Sequence, residues 1–316
     1  MSRVRCAVVG VGYLGRFHAQ KYKQIEEAEL IGVCDASPER GAQVAAELGV
    51  PVINDYRELI GKVDAVTIAS TTRTHYEIAK HFLQNDVHVN VEKPMTVTIQ
   101  EAEELVDLAQ KKNLKLQVGH VERFNPALAS AKERLGVPLF IECHRLAPFK
   151  PRGVDVDVVL DLMIHDIDVI LSLVKSPVAS VSAVGAPVLT KFVDIANARI
   201  EFESGAVANV TASRVSQSAT RKFRVFQSEQ YLSIDFGTGE INLTSKKGEW
   251  KDDQIPLEFE SWNLEKGDAL LAETKAFVNS VRTGAPVVVS GNDGLVAMRV
   301  AMQVQREIGA RLERFN

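Results

Sequence analysis

VRCAVVGVGYLGRFHA, residues 4–19, decides the fold. Val4–Val9 is a short apolar, β-branched run that reads as a strand, and a helical stretch over Leu14–Gln24 follows. Between them the chain spells Gly10-x-Gly12-x-x-Gly15. Each glycine has a physical task in such a turn. Gly10 makes the tight bend, Gly12 lets backbone approach a pyrophosphate, and Gly15 lets the helix pack closely on the strand, while the helix amino terminus offers amides and the positive end of its dipole. Glycines also serve ordinary strand–helix turns, so the motif needs context.

The context lies outward from that loop. Asp35 ends the next strand candidate, Leu30–Cys34, about twenty residues on, where an acid that reads an adenosine ribose belongs. A carboxylate there accepts from ribose hydroxyls and repels a 2′-phosphate, so NAD is favoured over NADP; Arg40, a turn into the next helix, could soften that choice. A plain helix cap by Asp35 ahead of Ser37-Pro38 is the simpler competing reading. Further strands are expected at Ala65–Ala69, Val87–Val91 and Lys115–Val118, apolar nearly throughout, with helices at Pro38–Leu48, His75–Gln84 and Ile99–Lys111. Thr98 and Glu101 have capping-box spacing at the start of the last. This alternation predicts an α/β Rossmann domain over residues 1–120.

Past about residue 120 the rhythm changes. A helix follows Pro126, a strand is expected at Phe140–Arg145, and a long helix runs from about Val158 to Val174. Strands with hairpin signals follow at Ile195–Phe202, Val207–Ser213, Lys222–Phe226 and Tyr231–Phe236, with turns at Ser204-Gly205 and Gly237–Gly239. Helices at Ala269–Arg282 and Gly294–Ile308 close the chain. Residues 121–316 are expected to form an α+β domain on an open, mostly antiparallel sheet, used for substrate binding and oligomerisation, its last helix free to pack back on the Rossmann domain.

Bulk properties narrow the function. With 316 residues, 46% hydrophobic and 25% charged, two cores fit without disulfides. Lys and Arg number 37 against 41 Asp and Glu, with no run of like charge, so no nucleic-acid partner is expected. Cys6, Cys34 and Cys143 are scattered, without metal-ligand spacing, which suits a reduced, cytoplasmic compartment; no metal is expected. The apolar start is too short for a signal peptide, and Val154–Val174 carries five Asp and a His, so no membrane partner is expected either.

Two segments carry candidate chemistry. In VNVEKPMTV, Glu92, Lys93 and Pro94 follow a buried strand and so fall at the carboxyl edge of the sheet, where open α/β sheets bind ligands. A lysine there can hydrogen-bond a substrate oxygen, or can simply end a strand at the surface. In VVLDLMIHDIDVILSLV, Asp161, His165 and Asp168 are spaced i, i+4, i+7 on one face of an otherwise apolar helix. A histidine oriented by a carboxylate can take a hydroxyl proton near neutral pH. Helix decoration, a satisfied core histidine and a metal site compete with that reading.

In that order, GVGYLGRFHA, the Glu92-Lys93-Pro94 segment and the Asp161-x-x-x-His165 helix resemble the Gfo/Idh/MocA oxidoreductases over essentially the whole chain, including the closing PVVVSGNDGLVAMRVAMQV. The resemblance implies an NAD-dependent dehydrogenase acting on a CH–OH group of a sugar or cyclitol, a homodimer or homotetramer whose open sheet forms the interface. It implies His165 as general acid/base, Lys93 as the group that polarises the reacting oxygen, and Asp161 as the residue that orients them. The cofactor set then takes in Gly10, Gly12, Tyr13, Leu14, Gly15, Asp35, Arg40, Ser70, Thr71, His75, Glu92 and Lys93. VGHVERFNPA, Val118–Ala127, is similar to the branch that oxidises the 3-hydroxyl of UDP-N-acetylglucosamine ahead of an aminotransferase in cell-surface sugar biosynthesis. Arg123 and Asn125 at the domain junction, with Arg145, Lys150 and Arg152 in HRLAPFKPRG, are the expected substrate and diphosphate contacts beside Lys93, Asp161 and His165. Dehydrogenases of unactivated sugars, cyclitols or UDP-uronic acids, and non-catalytic regulators that bind NAD and sugar, are the alternatives.

Overall fold

The computed structural model describes residues 2–150, 156–249, 255–265 and 267–314. The chain divides into two compact units, one of residues 1–124 with 268–298, the other of residues 125–267 with 299–316.

The first unit opens with β1 (Val4–Val9), α1 (Tyr13–Tyr22), β2 (Ala28–Cys34), α2 (Pro38–Leu48) and the two-residue β3 (Val52–Ile53). It continues with β4 (Ala65–Ile68), α3 (Thr72–Gln84), β5 (His88–Glu92), α4 (Ile99–Lys111) and β6 (Leu116–Gly119). All six strands are parallel, in the order β3-β2-β1-β4-β5-β6. That is the dinucleotide-binding order, with its switch point between β1 and β4. The Thr98–Glu101 capping box is formed at the start of α4, each side chain bonding the other's backbone amide.

Within these largely apolar strands Thr67, Asn90 and Gln117 stand in register on β4, β5 and β6, and all three are buried. Polar side chains survive burial only when hydrogen-bonded, and the elements packed over this row supply partners, as described below.

The second unit holds α5 (Pro126–Lys132), β7 (Phe140–Leu146), α6 (Ile164–Val174), β8 (Val178–Ala186), β9 (Ile195–Phe202) and β10 (Val207–Ser213). Four further strands follow, β11 (Thr220–Gln227), β12 (Gln230–Asp235), β13 (Glu240–Lys246) and β14 (Leu257–Asn263). They form one open sheet, β14-β13-β12-β11-β7-β10-β9-β8, antiparallel except where β7 runs parallel to β10. The alternate burial of β9 and β7 marks one covered face, over which α5 and α6 lie. β8 carries no sequence signal because its Ser, Ala and Gly residues blur the alternation.

The chain ends in α7 (Ala269–Thr283) and α8 (Gly291–Leu312). α7 and the first part of α8 group with the first unit. Phe277 and Val278 of α7 belong to the hydrophobic cluster of the first unit, with Val8, Ala19 and Tyr22. Ser290 bridges to Gln117, and the Val118 amide donates to the Val289 carbonyl. The return of α7 is driven by that burial; removing an aromatic ring of this kind costs about 3–5 kcal/mol.

Candidate active site

The glycine loop is built as a phosphate cradle. Gly10 has φ +85°, and a Cβ there would lie 2.4 Å from the Ser70 amide nitrogen. A Cβ on Gly15 would lie 1.8 Å from the Gly10 carbonyl oxygen, so α1 can start only with glycine at that place. Around Gly12 the space is open: a Cβ there would meet Arg40 Nη1 at 3.6 Å, an ordinary contact. Gly12 caps α1 with no side chain, and the amino terminus of that helix presents its first-turn amides and the positive end of its dipole to an anion. Tyr13 and Leu14 are exposed beside it.

Asp35 is positioned by this loop. Its Oδ2 accepts from the Val11 amide and its Oδ1 from the Ser37 amide, both at 2.8 Å, which leaves a lone pair on each oxygen. Ser37, and not Asp35, caps α2. Arg40 Nε stands 3.9 Å from Asp35 Oδ1, half exposed. At the carboxyl end of β4, Ser70 Oγ bonds Thr74 and Thr71 caps α3. His75 ties this loop to the next, with Nε2 3.1 Å from the Ser70 carbonyl and Nδ1 3.1 Å from the Pro94 carbonyl. Burial pulls its pKa below the ordinary imidazole value against those two carbonyls. The parts present therefore fit a pyridine dinucleotide.

Lys93 follows β5 and is half-buried; the Lys93–Pro94 peptide is cis. Its amide donates to Glu92 Oε2 at 3.2 Å, and Glu92 Oε1 accepts from His18 Nε2 at 2.8 Å. His18 comes from the inner face of α1, in line with Gly15, Ala19 and Tyr22. Sequence reading missed His18, though a histidine inside an apolar helix stripe was a usable signal.

The second unit carries the other candidates. The expected continuous helix over Val158–Val174 is corrected to a π-helical turn, Val159–Met163, running into α6. Such turns recur at functional sites because the wider turn displaces one side chain from the regular helix face. Asp161 lies in the π turn and His165 in the first turn of α6, both half-buried; Asp168 is fully buried and does not share their exposure. Asp157 Oδ1 accepts from the Val159 and Leu160 amides, and its Oδ2 accepts from Gln305 of α8 at 2.6 Å.

Arg145 has a different place from the one expected. It is 5% exposed, and its Nε and Nη2 donate to the two oxygens of Asp166 at 2.8 Å each. This fork on the neighbour of His165 braces α6 from within the domain. A second buried pair, Arg214 Nε to Asp194 Oδ1 at 2.8 Å, holds the approach to the π turn, since Arg214 Nη1 donates to the Val156 carbonyl. Of the other expected substrate contacts, Arg123 stands 3.8 Å from Asp293, Asn125 caps α5 by accepting from the Ala127 amide, and Lys150 is exposed. Arg152 lies outside the described residues.

Among the described residues no cluster of three or more His, Cys, Asp or Glu is placed to hold a metal ion, and no helix is long and apolar enough to cross a membrane. Residues 4–120 match an oxidoreductase family with an NAD-binding Rossmann fold, and residues 130–233 match the Gfo/Idh/MocA carboxyl-terminal domain. The chain is also 40% identical to the UDP-N-acetylglucosamine 3-dehydrogenase of Acidithiobacillus ferrooxidans, over 99% of this chain and all of that one. The chain belongs to the Gfo/Idh/MocA oxidoreductase family.

Other members place it further. A solved structure of the Acidithiobacillus enzyme superposes with a TM-score of 0.93 at 39% identity, covering 98% of this chain and 99% of that one. The scyllo-inositol 2-dehydrogenase (NAD(+)) of Bacillus subtilis is 30% identical over 95% of this chain and 92% of its own. A scyllo-inositol dehydrogenase of Lactobacillus casei with bound NAD(H) and scyllo-inositol shares the fold, with a TM-score of 0.82 at 23% identity and 98% coverage of both chains. The family is one of NAD-binding oxidoreductases, and this chain is a dehydrogenase of that kind.

Proposed function

We propose that the chain oxidises the 3-hydroxyl of UDP-N-acetylglucosamine, giving the 3-keto nucleotide sugar and NADH. The observation that carries this reading is the end-to-end 40% identity to the Acidithiobacillus 3-dehydrogenase, against 30% to the inositol enzyme of Bacillus.

NAD supplies the hydride acceptor. The amides after Gly12 take its pyrophosphate, and Asp35 takes the adenosine ribose through its remaining lone pairs. The Lys93 ammonium hydrogen-bonds the 3-oxygen, and His165 accepts the hydroxyl proton, oriented by Asp161. The C3–H bond breaks with its electron pair leaving as hydride, the C3–O bond becomes a carbonyl, and the proton rests on His165. The diphosphate is met by the basic loop at Lys150 and Arg152 with Arg123, so that binding energy from the nucleotide orients the reacting carbon. The protein acts in the cytoplasm as a homodimer or homotetramer, with the uncovered face of the open sheet as the interface. A ketone beside an acetamido carbon suits an aminotransferase as the next enzyme, in cell-surface sugar biosynthesis.

The test is initial rates of NADH formation with UDP-N-acetylglucosamine, free N-acetylglucosamine, myo-inositol and UDP-glucuronate, with an aminotransferase and amino donor to draw off the ketone. The UDP-linked amino sugar gives the highest kcat/KM, and the free sugar is lower by roughly 100-fold or more because it lacks the anchor. A higher kcat/KM for inositol or the free sugar overturns the reading.

A further inference from the structure

Behind Lys93 lies a buried polar cluster built from α1, α7 and the strands β4, β5 and β6. Asn90 Nδ2 donates to Glu273 Oε1 of α7 at 3.3 Å, and Gln117 Nε2 reaches both Asn90 Oδ1 at 3.3 Å and the Glu273 carbonyl at 3.4 Å. Tyr22 of α1 bonds Thr67 of β4 at 2.7 Å. His18 and Glu273 are wholly buried, Glu92 nearly so. His18 Nδ1 and Glu273 Oε2 have no hydrogen-bond partner among the described residues. Two carboxyl groups and one imidazole thus share a water-poor space, with Lys93 at its rim.

The titratable groups that act on one another here are Cys6 of β1, His18 and Tyr22 of α1, Glu92 of β5, Lys93 beyond it and Glu273 of α7; β4 and β6 add the uncharged Thr67 and Gln117. Burial pushes Cys6 and Tyr22 up, so both stay neutral. Burial also works against charge on Glu92, but the hydrogen bond and charge of His18, then Lys93, outweigh it and hold that carboxyl below its usual range. Burial likewise opposes a proton on His18, and Glu92 outweighs it, so the imidazole holds its proton more tightly than usual. Glu273 is left with burial and the charge of Glu92, which against His18 and Asn90 push it up to about 7. Below that pH Glu273 is a neutral acid beside the Glu92 carboxylate. Above it, two carboxylates stand against one imidazole, an arrangement that like-charge repulsion disfavours.

We propose that His18 and Glu273 are positioning residues for Lys93, acting through Glu92: a proton shared within the buried cluster keeps the Glu92 carboxylate locked on the Lys93 amide, and loss of that proton loosens the lock. The idea rests on Lys93 being the residue that meets the reacting oxygen, but its test does not need a substrate. With lysine labelled by ¹⁵N and the Lys93 amide assigned through Lys93→Arg, the Lys93 resonance moves with an inflection near pH 7 in the unmodified apoprotein. In Glu273→Gln, which keeps the shape and the bond from Asn90 but cannot ionise, that inflection is absent. If Gln is not tolerated, the titration of the unmodified protein still decides. A Lys93 resonance that does not move between about pH 6 and 8 overturns the proposal.

Turnover supplies the second readout. Glu273→Gln matches the unmodified enzyme near pH 6 and loses the alkaline fall in kcat, with KM little changed. His18→Gln keeps a donor to Glu92 without the positive charge and lowers kcat at every pH. An alkaline limb of kcat identical in Glu273→Gln and the unmodified enzyme shows that the cluster is structural alone. Failure of the UDP-sugar assay leaves the amide titration standing, so the two readings fall separately.

Discussion

The segment behind Lys93 and the segment around His165 both bury charge to hold a half-exposed side chain, yet they neutralise that charge by different chemistry. On the His165 side two of the buried acids, Asp166 and Asp194, each meet an arginine at 2.8 Å. Arginine does not titrate in proteins. Burial works against the Asp194 charge, but the amides of Thr190 and Leu189 and the Arg214 guanidinium outweigh it and hold its pKa well down. A depressed carboxyl contributes stability that is complete above its unfolded value and is lost only as pH falls through the folded one. The Arg214–Asp194 pair is therefore constant through neutral pH. Behind Lys93 two acids share one histidine, and the raised Glu273 contributes stability that is lost as pH rises from its unfolded value, near 4.5, to about 7. The Arg214–Asp194 pair keeps its charges across neutral pH, whereas burial and the Glu92 charge bring the Glu273 carboxyl up into that range.

The comparison can be broken most severely at the reacting groups. His165→Asn keeps the fold and NADH binding but lowers kcat by roughly 10²–10⁴, the usual range for a lost general base; Lys93→Met does the same. Turnover within about twofold of the unmodified enzyme in either variant removes that residue from its role.

Next in size is the brace. Arg145→Met leaves Asp166 buried without its fork and destabilises the protein by about 3–5 kcal/mol. Chemical unfolding at about pH 6 and 8 shows the same loss at both, because arginine carries its charge at both. A loss that depends on pH in this range shows that the pair does not keep its charges there.

The comparison also marks what could be read from sequence. The glycine loop, Asp35 and five of the six parallel strands were legible because their spacing follows from local rules of turn and helix start; the two-residue β3, Val52–Ile53, is too short to leave a pattern. Lys93, Asp161 and His165 stood out as polar residues in apolar runs. What escaped was long-range: Glu273 lies 183 residues from Asn90, and Arg145 lies 21 residues from Asp166, on another element. A buried arginine and a ligand-binding arginine look alike in sequence, since only tertiary packing decides whether an acid stands opposite. The π turn was equally hidden, because VVLDLMIHD satisfies helical periodicity whether or not one turn is widened.

A smaller effect sharpens the cofactor half. Asp35→Ser removes the charge that repels a 2′-phosphate while leaving Arg40 nearby, so the preference for NADH over NADPH narrows by roughly tenfold or more, about 1.4 kcal/mol. Fluorescence titration of both reduced cofactors checks it, and equal affinities in the unmodified protein show that Asp35 does not read the ribose.

The smallest effect is in stability. Melting of Glu273→Gln, compared with the unmodified apoprotein, shows a relative gain for the variant that grows from about pH 5 to 7 and is level above, following the sign of the raised carboxyl. A difference that is constant from about pH 5 to 8 shows that Glu273 does not titrate in the fold.

The central claim, hydride removal from carbon 3 of UDP-N-acetylglucosamine, is tested most directly by labelling that carbon. With deuterium at C3 in place of hydrogen, mass spectrometry of the reduced cofactor shows one deuterium per NADH formed, and the sugar product is a ketone that has lost the label. Unlabelled NADH formed from the same substrate, or label retained in the sugar, contradicts the account.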